Sequence, residues 1–100
     1  MSDTIGSGAA GWIKEIQPTA RAHGISDACI RYAATHAVKT IDLPSHPTIK
    51  GTIVALLGAD DNGIPLEIIA REDRSGGLSI FHADSMRASF LRLYRESAGF

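Results

Sequence analysis

The sequence predicts an α+β domain: N-terminal helices packed on a three- to four-stranded antiparallel meander, followed by a C-terminal helix. Three observations predict it. Apolar residues recur at helical spacing between Trp12 and Ala37. From Thr52 onward, runs rich in apolar and β-branched residues alternate with the turn signals Asp60-Asp61-Asn62-Gly63 and Arg74-Ser75-Gly76-Gly77. Helical spacing then returns after Ala83. Helices, a meander and a helix in that order make an α+β arrangement.

Residues 1–10 are small and polar with Gly6 and Gly8, which predicts a flexible lead-in; residues 11–100 are then a single domain. Trp12, Ile13 and Ile16 stand at i, i+1 and i+4, a short helical face. Pro18 interrupts it, and because proline suits a first helical turn, a second short helix is expected over residues 18–23, ending at Gly24. Ser26 is an N-cap residue, with Asp27 favourably placed against the helix dipole. The helix that follows, residues 27–37, lines up Cys29, Ala33, His36 and Ala37.

Residues 38–43 read as a short edge strand, closed by Pro44 and Pro47. Strands are expected over residues 52–59, 64–73 and 78–83. Asp84 or Ser85 should cap the last helix, residues 86–97, with Met86, Phe90, Leu93 and Tyr94 on its apolar side. A two-residue turn at Asn62-Gly63 would set Leu57 opposite Ile68 and Ala55 opposite Ala70. Ala55, Leu57, Leu66, Ile68 and Phe81 would then face the helices, with Arg71 and His82 together on the other face.

Composition narrows the function. The chain has 100 residues, 44% of them hydrophobic. At that size folding hides roughly two-thirds of the unfolded surface, enough for one core, so a site is expected in a surface groove or a shared interface. The formal net charge is −1, which advertises no basic surface for nucleic acid. The five cations of the second half are all arginines: Arg71, Arg74, Arg87, Arg92 and Arg95. Cys29 is the only cysteine, so no intramolecular disulfide can form. The opening MSDTIGSGAAGW lacks a basic segment followed by an apolar run, and no stretch reaches the ~18 apolar residues of a membrane span. A cytoplasmic protein without membrane contact is expected.

The chemistry-bearing candidates are few. His82 ends a strand shortly before Arg87, where an imidazole can carry protons beside phosphate-binding groups, or simply close the strand–helix junction. Arg71 and Arg87 can grip phosphate in a bidentate fashion, or pair with Glu67, Glu72 or Asp84. His23, His36, His46 and His82 show no metal-ligand spacing, so neither a metal nor another cofactor is expected. Cys29 reads as a small core residue. No Walker loop, GxGxxG or GxSxG is present.

Two stretches carry a family resemblance. His23-Gly24-Ile25-Ser26, followed by a helix of small residues, resembles the Lys-His-Gly-Val/Ile segment of BrnT-type toxins, ribonucleases of bacterial toxin–antitoxin pairs. The run from Leu78 through His82-Ala83 to Met86-Arg87 is similar to the close of small actinobacterial proteins related to that group. The resemblance spans about residues 13–95. It implies a RelE-like fold, metal-independent RNA cleavage and a small antitoxin partner, and it matches His23, Arg87 and Tyr94 to the family's positions. Together with the reading of the residues, it gives His82 an acid/base role, Arg71 and Arg87 charge stabilisation, and His23 and Tyr94 supporting parts. The alternative is a non-enzymatic protein-binding module on the same fold, with self-association left open.

Overall fold

The computed structural model of the chain describes residues 12–99. The expected lead-in over residues 1–10 lies outside the described residues. A short strand β1 (Ile13–Ile16) and a 3-10 turn (Pro18–Arg21) precede helix α1 (Asp27–Thr35). Strands β2 (Lys39–Leu43), β3 (Thr52–Ala59), β4 (Pro65–Glu72) and β5 (Leu78–Ser85) follow, and helix α2 (Ala88–Ala98) comes last. They form one five-stranded sheet in the order β1-β5-β4-β3-β2. β2 to β5 make an antiparallel meander, and β1 lies parallel to β5 at its margin.

This corrects the expected fold of helices packed on a three- to four-stranded meander. The first expected helix is a strand, the second is a single 3-10 turn, and α1 alone precedes the meander. The cause is legible in β1. Ile13 lies opposite Leu78 and Ile16 opposite Ile80, with the register shifting between Ile13 and Glu15. The extra residue puts two side chains three apart on one face, which imitates the spacing of a helix.

Each face of the sheet has its own core. On the first, Val54, Leu56, Leu66, Ile68, Leu78 and Ile80 pack with Ile30, Ala33 and Ala34 of α1 and Ala20 of the 3-10 turn. On the second, Ile53, Ala55, Leu57 and Ile69 pack with Tyr94, Phe90 and Leu91 of α2. α1 starts as expected, with the Ser26 hydroxyl accepting from the Cys29 N–H at 3.2 Å. α2 starts later than expected, with Arg87 at its N-cap in place of Asp84 or Ser85. Leu91 takes the inward place expected for Leu93, which is exposed.

The β3–β4 hairpin departs from expectation by one residue. Leu56, not Leu57, lies opposite Ile68, and Ala55 lies opposite Ile69. The turn takes in four residues: the Gly63 N–H donates to the Asp60 carbonyl at 2.9 Å, and the Asp60 N–H to the Ile64 carbonyl at 3.0 Å. Asp60 Oδ1 also accepts from the Asn62 and Ile64 N–H groups, and Gly63 takes φ 80°, where glycine is unstrained. Ala55, Leu57 and Phe81 therefore share the α2 side with Arg71 and His82, whereas Leu66 and Ile68 face α1. The register of β5 on β4 also shifts along its length. Glu72 lies opposite Leu78 and Arg71 opposite Ser79, but a bulge before His82 brings Ile69 opposite His82.

Candidate functional site

The buried carboxylate of Glu67 organises the junction between β5 and α2. Glu67 is 2% exposed and stands on β4 opposite Asp84. Its Oε1 accepts from the Arg87 backbone N–H at 2.8 Å and from Arg87 Nε at 3.0 Å. Its Oε2 lies 2.6 Å from Arg87 Nη2 and 3.0 Å from His82 Nε2. Burial pushes the Glu67 carboxyl up, but the hydrogen bonds from Arg87 and His82 and the Arg87 charge more than offset this and hold it below its ordinary value. The same contacts raise Arg87. One carboxylate thus ties the N-cap residue of α2 to β4 and β5. Arg87 also lies over the Phe90 ring, 4.9 Å from its centroid.

The cluster continues outward to a second histidine. The His23 ring meets the His82 ring edge-on, with centroids 5.5 Å apart. His23 Nδ1 lies 3.6 Å from Asp84 Oδ2. The side chain of His82 is 28% exposed and that of His23 45% exposed, so both are within reach of solvent. The segment after the 3-10 turn carries His23 to this place, and Gly24 at φ 77° then turns the chain toward α1.

Arg71 sits apart, in a cleft of about 320 Å³ at the other end of the same face. The β2–β3 connection brings Thr48, Ile49 and Lys50 to one side, while Gln17 and Thr19 come from the end of β1 and the 3-10 turn. Phe81, placed by the β5 bulge, lines it too. Arg71 Nη2 donates to the Ser79 hydroxyl at 3.3 Å, and Ser79 is itself buried. Gly51, at φ 94°, lets the connection pass close over the arginine. A Cβ there would lie 3.3 Å from Arg71 Cγ and 2.8 Å from the Glu72 carbonyl oxygen. Among the described residues neither Arg71 nor Lys50 is in an ion pair with a carboxylate, unlike Lys14, Arg21 and Arg87.

The five side chains expected to form a site are therefore placed in three ways. His82, Arg87 and His23 meet at the junction, Arg71 lines the separate cleft, and the Tyr94 ring is buried in the second core. Sequence reasoning had Glu67 only as one of three partners for the arginines, and it missed Lys50 and Thr48 altogether. No local motif marks that connection; the Lys50-Gly51 pair is the one signal, since a glycine there permits close backbone approach. No group of three metal-ligating side chains stands together among the described residues. Among the described residues, no helix is long and apolar enough to cross a membrane. No protein-family model, curated protein or solved structure matches the chain.

Proposed function

We propose that the chain is a non-enzymatic protein-binding module. One observation carries this reading: Arg87 and His82, the side chains best suited to phosphate chemistry, both contact one buried carboxylate and serve the strand–helix junction. A cation held by a buried carboxylate has little charge left to stabilise a developing phosphorane. The sheet also ends at β2, which has no further strand beside it among the described residues. Val38, immediately before that edge, is 45% exposed. An open edge is a surface on which a partner's extended segment can add as a strand. The partner expected is a small protein encoded beside this one. Light scattering after size exclusion, with and without that partner and with RNA, tests the reading. A stable complex with intact RNA is expected, and a monomer that degrades RNA overturns it.

A second reading, a metal-independent RNA-cleaving toxin held by a small antitoxin, draws support from the His23–His82 pair. Two histidines 5.5 Å apart, each beside a carboxylate, could accept the 2′-hydroxyl proton and protonate the leaving oxygen. This reading expects growth arrest on induction without the antitoxin, and relief by His82→Ala and by His23→Ala. Wild-type expression without effect on growth counts against it.

A further inference from the structure

We propose that the Lys50–Arg71 cleft is a binding site for a small organic phosphate monoester. Nothing in this proposal depends on the protein-binding reading. Arg71 is half-buried on the sheet and held from two sides, by the buried Ser79 hydroxyl and by the close pass of Gly51 over its stem. A long cation fixed in this way and facing a cleft is already in place for an anion. Lys50, on the connection that passes over Arg71, supplies a second positive charge to the lining, and no carboxylate among the described residues neutralises either one. Two cations balance the dianion that a phosphate monoester becomes near neutral pH.

The remaining lining selects further. The Thr19 hydroxyl and the Gln17 amide add uncharged donors to the two cations, more than the two oxygens of a carboxylate would need. Phe81 and Ile49 give the cleft an apolar wall, which an inorganic ion would leave unused. The volume, about 320 Å³, is at the small end of ligand sites and suits one ring bearing a phosphate.

The test is a ¹H–¹⁵N NMR titration of the whole chain with phenyl phosphate, inorganic phosphate and benzoate in parallel. Phenyl phosphate should shift the Lys50, Arg71, Thr19 and Thr48 amides saturably and bind more tightly than the other two. Lys50→Ala, on the exposed connection, and Arg71→Gln should each weaken it about tenfold while leaving amides remote from the cleft in place. Four outcomes overturn the proposal. They are no saturable shift at these residues, affinity unchanged in both variants, inorganic phosphate binding as tightly, and benzoate binding as tightly.

Discussion

A buried carboxylate is tolerated only while its charge is answered, and Glu67 is answered by four groups from two residues. Replacing it with glutamine puts an amide NH₂ against donors of Arg87 and His82. The Arg87 side chain is 56% exposed and can rehydrate, so the cost is below that of stranding a fully buried ion: about 2 kcal/mol in urea denaturation at pH 7. The sign with pH follows from the depressed carboxyl. Its contribution is complete above the ordinary value of 4.5 and is lost as pH falls through the lower folded value. The stability gap between wild type and Glu67→Gln should therefore stay constant from pH 8 to about 5.5 and narrow below about 4.5. A gap that widened in acid would show that the carboxylate is not what holds the junction. Glu67 was legible in the sequence only as one acidic neighbour among several, because a residue fifteen positions from His82 and twenty from Arg87 meets them through strand pairing alone.

At the scale of elements, two glycines carry different parts of the architecture. Gly58 lies in β3 beneath α1, where a Cβ would run into the Ala33 carbonyl oxygen and come within 3.1 Å of Ala37 Cα. Gly63 has open space around it and is needed only for its φ of 80°. Gly58→Ala must push the helix off the sheet, at about 1–3 kcal/mol, with chemical-shift changes running along α1. Gly63→Ala pays only for the left-handed backbone, about 1 kcal/mol, and its shifts should stay in the turn. Both costs are read from urea denaturation. Equal costs with equally local shifts would mean that α1 does not bear on Gly58. The hairpin itself was legible, since Asp60-Asp61-Asn62-Gly63 marks a turn between two apolar runs. Its register was not, because the same four residues accommodate either a two-residue loop or the longer turn held by the Asp60 side chain.

Across the whole molecule, the faces of the sheet were hidden from sequence reasoning because both are covered. β3 is buried without a break from Ile53 to Gly58, so it lacks the alternation that would assign a register. β1 was unreadable for a related reason: its pairing with β5 joins residues far apart in sequence, and its bulge copies a helical spacing. Two cores of this kind make the fold depend on α2, the one described helix over the second face. Removing residues 87–100 takes away the Arg87 donors of Glu67 and uncovers Ile53, Ala55, Leu57 and Ile69 together. Exposure of that many apolar side chains, with the broken ion network counted in, is comparable with the whole margin by which a domain is stable, about 5–15 kcal/mol. The truncated chain should show no cooperative thermal transition and should bind a hydrophobic dye. A peptide of residues 87–100 added in trans should restore part of the transition, and less so when it carries Arg87→Ala. Cooperative melting of the truncated chain by itself would show that the α1 core suffices and that the second core is dispensable to the fold.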